Sequence, residues 1–542
     1  MKIARTFVLG ALGAGLGAGL GGCGDDASAV QEGTTGGESS SSSSSTLDTS
    51  ATTETADTTG TTTGESSSST TEPAVAQLEY ARGIRLTRLV ANQGMQIDLT
   101  VDGIDVDPAE YPVRFISGRR TLVRAFWSLH ADFTPRELVG RLVVGYPDGT
   151  EQVHDVPAMV AGKSEDAGPS FQWLLAPDEV TPGLTLRAWA LEPDPALATG
   201  ELSEPPPILP YGGSVEVPLL DVPLELEVVL IPVLHQLDGC EMVPMPTDDD
   251  VRAMAESLEQ SNAVQRAIVS VGEPMPYTDP IGGQDMGFSP MLAALAIRRG
   301  EDAPAPNVYY YGLLDSCDGF PGGLLGQALG IVDQPTMEVA NTRVSTGRWL
   351  GSGAAAAETF VHEIGHSQGR RHITCSGGEG GPETDYPHDN GRIGNWGFGI
   401  HDLTLRPPTK ARDYMTYCSN EFVSDYGWEQ TLDRIEVLTS WNDRDHAPPH
   451  QQVLMGIVHG KGTSVWWTVP SNDVPIGTDA RVVWTIGGME HVRAATRSAM
   501  PDDDGMLVIS AVPDGAQHAT ALRLEVGGEP ALDLAPTAIR RQ

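Results

Sequence analysis

The stretch Val361 to His372, VHEIGHSQGRRH, constrains the fold more than any other part of the chain. It gathers three of only 13 histidines in 542 residues. His362 and His366 are four apart, so a helix sets them one turn apart on a single face. The preceding GSGAAAAETF, with its run of Ala, is a strong helix former. Gly369 falls where that helix has to stop, because Gly tolerates the left-handed conformation that turns the chain. The turn can bring His372 back to the two helical imidazoles. Two histidines at this spacing are often only a solvated helix face; the added offsets of Gly369 and His372 argue for a shared metal. Three neutral nitrogens plus water make an open tetrahedral zinc site, the catalytic kind rather than the closed structural kind. Glu363, beside His362, can reach water held by such an ion.

The rest of the chain sets the context for this stretch. The length allows two to four domains and a large core. Acidic side chains outnumber basic ones 73 to 34, a formal net charge of -39. That argues against nucleic acid, whose binders need basic faces, and it favours solubility. At the start, Lys2 and Arg5 precede an apolar run, Phe7 to Leu20, too short to span a bilayer comfortably. The run ends in Leu20-Gly21-Gly22-Cys23, which resembles the lipobox of bacterial lipoproteins. That resemblance implies a signal peptide over residues 1–23 and a lipid on Cys23. An ordinary secretory signal with an incidental Cys is the alternative. Residues 24–75 are Ser/Thr-rich with almost nothing apolar, so they cannot offset the entropy of ordering and are expected to be a disordered linker. No later stretch reads as transmembrane.

Residues 76–222 are expected to form a β-sandwich. In TLVRAFWSLH, Val123, Ala125, Trp127 and Leu129 recur at period two. GRLVVGYPDGT reads as a strand entering a turn, and the Pro-rich SEPPPILPYGG as a linker. Residues 223–445 mix strand and helix signals. LELEVVLIPV is a continuous apolar strand; TDDDVRAMAESLEQSNAV is a helix with Thr247 as N-cap and Asp248 to Asp250 at its positive end. Residues 446–542 return to strands in TSVWWTVP, ARVVWTI, GMLVISAV and TALRLEVGG, a second β-domain. The acidic PDDDG between two of them reads as a solvated loop rather than a calcium site.

The motif His362-Glu363-x-x-His366-x-x-Gly369-x-x-His372 resembles the signature of the metzincin zinc peptidases. Metzincins also have a Met-containing turn beneath the zinc, and DYMTYC offers Met415. A Tyr two residues after that Met approaches the zinc in the astacin-like and serralysin-like branches, and Tyr417 matches. The resemblance covers residues 362–418 with specific motifs and extends to 224–445 by analogy. It implies an α+β metzincin-like catalytic domain flanked by two all-β domains. There are departures: Ile373 stands where astacins have Glu, and no segment offers a matrixin-type cysteine plug. His388 and His401 read as hydrogen-bonding loop residues, and Arg370 and Arg371 as solvent or structural charges.

With Cys23 assigned to lipid, four cysteines remain in an exported chain, an oxidising setting. They allow three pairings, and spacing alone does not choose. Cys375 lies three residues after His372 and Cys418 three after Met415. Since the resemblance places the Met-turn beneath the metal, these two are expected to pair, leaving Cys240 with Cys317. Four free buried thiols are the alternative. Together these readings give a lipid-anchored, exported zinc endopeptidase of the bacterial envelope, expected as a monomer. One Zn2+ would be held by His362, His366 and His372, with Glu363 as general base, Tyr417 as oxyanion donor, and proteins or peptides as substrates. The competing class is a non-catalytic zinc-containing surface adhesin, which has no need of Glu363.

Overall fold

Strands dominate wherever apolar side chains alternate. A computed structural model describes residues 78–540 apart from 283–285, 376–380, 443–448, 461, 473, 475–476 and 502–503. The lipobox Cys23 and the Ser/Thr-rich linker lie outside the described residues, as does part of the PDDDG loop.

The first region builds two antiparallel sheets. One carries Thr185–Glu192 between Glu79–Tyr80 and Arg136–Gly145, with Glu151–Val160 beyond. The other runs Ile104–Asp105, Gln96–Val101, Ile84–Asn92, Thr121–Leu129, Phe171–Leu175. In Thr121–Leu129 the first seven residues are buried, on both faces. The face opposite Val123 and Ala125 is covered too: Leu122 packs with Phe398 and Ile400, and the buried Arg124 donates to Ser170. The Pro-rich segment is docked rather than a free linker, because Ile208–Leu209 pairs with Thr185–Glu192 and the Tyr211 hydroxyl accepts from Arg85.

The middle region centres on Glu225–Leu237, which pairs in parallel with Arg266–Val271, Met275–Tyr277 and Tyr309–Leu314. Val344–Arg348 lies parallel to Tyr309–Leu314, and Gly326–Ala328 adds an antiparallel edge. Four α-helices occur among the described residues: α1 (Asp248–Ser261), α2 (Ser289–Asp302), α3 (Gly353–Ser367) and α4 (Asp425–Thr439). Helix α1 starts as its sequence demands. Thr247 accepts from the Asp250 amide, and Asp250 accepts in return from the Thr247 amide, which satisfies two otherwise open donors. Helix α3 begins at an unflagged cap, Ser352, whose hydroxyl accepts from the Ala355 amide. Its first residue, Gly353, touches α1 so closely that a Cβ there would lie 2.2 Å from the Asp250 carbonyl oxygen.

The last region is one eight-stranded sheet. It contains the four expected strands and adds Gln451–Val458, Met489–Ala499, Glu529–Leu534 and Ile539–Arg540.

This architecture corrects the expected fold class. The chain does not form an α+β metzincin-like catalytic domain with separate β-domains at its flanks. Among the described residues strand outweighs helix by about two to one, and the sheets are several. The physical reason is burial. One cluster joins Leu89, Ile97 and Trp127 of the first region to Leu226, Phe360 and Trp428 of the middle. A second joins Ile231 and Leu292 of the middle to Met455, Trp467 and Leu507 of the last sheet. Apolar faces that read as cores of separate domains are covered by one another.

Candidate metal centre

The fold brings the three histidines together. Helix α3 carries His362 and His366 on one buried face and caps itself with Gln368, whose amide donates to the Ile364 and Gly365 carbonyls. Gly369 then takes φ +85°, the left-handed conformation its position requires. A Cβ there would also lie 2.5 Å from the Arg434 guanidinium, so only Gly fits the turn. The chain reverses and delivers His372, which is 1% exposed, back to the helix. His366 Nε2 lies 3.1 Å from His362 Nε2 and 3.1 Å from His372 Nε2.

Second-layer contacts fix which nitrogens are available. His362 Nδ1 donates to the Tyr414 carbonyl at 2.8 Å, and His366 Nδ1 to the Arg370 carbonyl at 2.8 Å. A carbonyl only accepts, so both Nδ1 atoms carry a proton, and in the neutral rings both Nε2 atoms present lone pairs. Two lone pairs facing each other at this distance repel unless a cation lies between them. The two 3.1 Å separations lie close to the ~3.3 Å that tetrahedral ligands at about 2.0–2.1 Å from one ion would show. The donor set therefore fits a metal ion: the buried group could hold one.

The remaining candidates gather around this triad. Glu363 is 3% exposed on the same helix. Tyr417 is 53% exposed, and its hydroxyl lies 2.9 Å from His372 Nε2. Met415 is fully buried against α3, where a Cβ on Gly365 would come within 2.6 Å of its sulfur. The Met415 carbonyl accepts from the Ile373 amide at 2.9 Å, which ties its turn to the residue after His372. Disulfides join Cys375 to Cys418 and Cys240 to Cys317. The first links the His372 loop to the segment that carries Met415 and Tyr417.

No protein-family model matches this chain, and no curated protein does.

A cleft of about 630 Å³ opens beside the triad, with His362, Glu363, Tyr417, Leu325, Glu358 and Glu421 in its wall. Its acidic lining was not legible from the sequence. Burial, then the charges of Glu358 and Asp413, push the Glu421 carboxyl up to about 9. Two expectations outside the triad resolve as hydrogen bonds. His388 Nε2 lies 2.6 Å from Asp425, and His401 Nε2 lies 2.6 Å from Glu259. Arg371 meets Asp333 at the surface, whereas Arg370 is buried against Asp413. Of the two readings open for this Arg-Arg pair, Arg371 is the solvent charge and Arg370 the structural one.

Two disulfides mark an oxidising environment. Among the described residues no helix is long and apolar enough to cross a membrane.

Proposed function

We propose that the chain is an exported, lipid-anchored zinc endopeptidase that uses the chemistry of the metzincin motif. The observation that carries this reading is the convergence of three buried histidines, with His362 and Glu363 in the wall of an open cleft. Zinc held there would act as a Lewis acid on a peptide carbonyl and make water acidic enough to lose its proton near neutral pH. Glu363, one residue from His362, receives that proton and passes it to the departing amine. Tyr417, exposed at the cleft and within reach of His372, donates a hydrogen bond to the oxygen that becomes negative in the transition state. Gly326, which opens the edge strand Gly326–Ala328, and the preceding Gly322 to Leu325 line one side of the cleft, where Leu325 offers apolar surface for a substrate side chain. The anchor rests on the Cys23 motif, and the envelope location on that motif and the disulfides.

The test is digestion of a peptide library and a casein-type protein by the wild type and by Glu363→Gln, with metal analysis of both. We expect the variant to keep one equivalent of zinc and lose nearly all cleavage. A variant that cleaves like the wild type sinks the role of Glu363. A wild type that binds zinc but cleaves nothing favours the adhesin.

A further inference from the structure

We propose that the buried Arg370–Asp413 pair is a positioning device for the metal site: it holds in place the two backbone carbonyls that orient His362 and His366. The inference rests on the histidines binding a metal, and not on peptidase activity.

The two carbonyls belong to Tyr414 and Arg370. One guanidinium joins both residues. Its Nη2 lies 3.2 Å from each Asp413 carboxylate oxygen, and its Nη1 donates to the Tyr414 hydroxyl at 3.3 Å. The Arg370 guanidinium also sits over the Tyr414 ring, 5.2 Å from its centre. Asp413 extends the network. It accepts from the Met415 amide at 2.9 Å and from the amide and hydroxyl of Ser424, the residue that caps α4. The end of α3, the Met415 turn and the start of α4 therefore meet on one carboxylate.

Stability alone does not account for such a pair. The side chains are 3% and 0% exposed. Desolvation of two buried charges offsets much of their attraction, and apolar replacements of similar volume are often as stable. What apolar side chains cannot do is fix the direction of two carbonyls through hydrogen bonds. Metal-binding histidines depend on such acceptors for ring orientation.

The experiment uses the full-length chain in detergent with both disulfides intact and the variants Arg370→Met, Arg370→Lys and Asp413→Asn. Glu192→Gln is the control, since it breaks another buried pair, Arg136–Glu192, in the first sheet region. Zinc affinity is read by competition with a chelator, ligand geometry by the visible spectrum of the cobalt(II) form, and stability by melting of the metal-free protein. Arg370→Met and Asp413→Asn should weaken zinc about 10- to 100-fold and shift the cobalt bands. Arg370→Lys should recover only part of the affinity, because an ammonium cannot span Asp413 and Tyr414 as the planar fork does. Glu192→Gln should melt lower yet bind zinc like the wild type. Where Arg370→Met does not fold, Arg370→Lys and Asp413→Asn carry the same comparison. Zinc affinity within two-fold of wild type in the folded Arg370 and Asp413 variants overturns the proposal, as does an equal loss in Glu192→Gln. A wild type that binds no zinc removes this proposal and the metal site together. A wild type that binds zinc but cleaves nothing removes only the peptidase reading.

Discussion

At Gly326 the edge strand runs so close to α3 that a Cβ would lie 2.6 Å from Glu363 Cγ and 2.7 Å from Thr359 Cγ2. Ala at this position has to displace the side chain proposed as general base. Because small misplacements of catalytic groups cost on the order of 100-fold, Gly326→Ala should lower kcat by about that factor while the zinc content stays at one equivalent. Steady-state kinetics with metal analysis checks this, and an unchanged kcat would show that Glu363 is not crowded. Glu421 gives a pH test. Burial, then Glu358 and Asp413, raise its folded pKa to about 9, above its value in the unfolded chain. The sign follows from linkage: its contribution to stability is complete below the ordinary carboxylate range and is lost as pH rises through 9. Glu421→Gln keeps a neutral side chain at every pH. Its melting temperature should match the wild type near pH 4 and exceed it by roughly a few degrees near pH 9. A difference independent of pH would remove Glu421 as the cause.

Between the elements, Cys375–Cys418 closes a loop over a sequence separation of 43 that holds both the His372 side and the Met415 turn. In the chain-entropy model closing it contributes about 4 kcal/mol. Mild reduction, or Cys375→Ser with Cys418→Ser, should release zinc before the sheets melt. Parallel chelator release and circular dichroism follow the two events, and simultaneous loss would contradict the order. How far the elements were legible depended on whether their signals are local. The Thr247 cap, the helix under His362 and His366 and the Gly369 stop are set by neighbours within one turn. Met489–Ala499 was missed because its side chains, such as Glu490, Arg493 and Arg497, are largely polar, and only sheet pairing makes it a strand. For Arg370 the sequence leaves a solvent or a structural charge open, and the structure makes it structural: its partner lies 43 residues on, so nothing in the local sequence announces a buried guanidinium.

Across the whole molecule, the regions are bound by polar as well as apolar contacts. Arg119, from the first region and only 2% exposed, donates to the carbonyls of Glu259 and Val264. Trp428 of α4 donates to the Arg114 carbonyl and fills the space against Gly94, where a Cβ would lie 2.2 Å from its ring. A fragment limited to 223–445 would uncover Phe360 and Trp428 on one side and Leu292 on the other. We expect that fragment to be insoluble or molten, and 76–542 to fold and bind zinc; near-UV circular dichroism and metal analysis of the two distinguish the outcomes. A soluble, zinc-loaded 223–445 would show that the shared cores are dispensable. The docked segment at Ile208–Leu209 bears on how long the chain survives among proteases. A nick there cuts the first region near its end, and both pieces should stay clasped through Val215–Glu216 and the shared interior, so that the cut molecule is expected to keep its parts and its metal site.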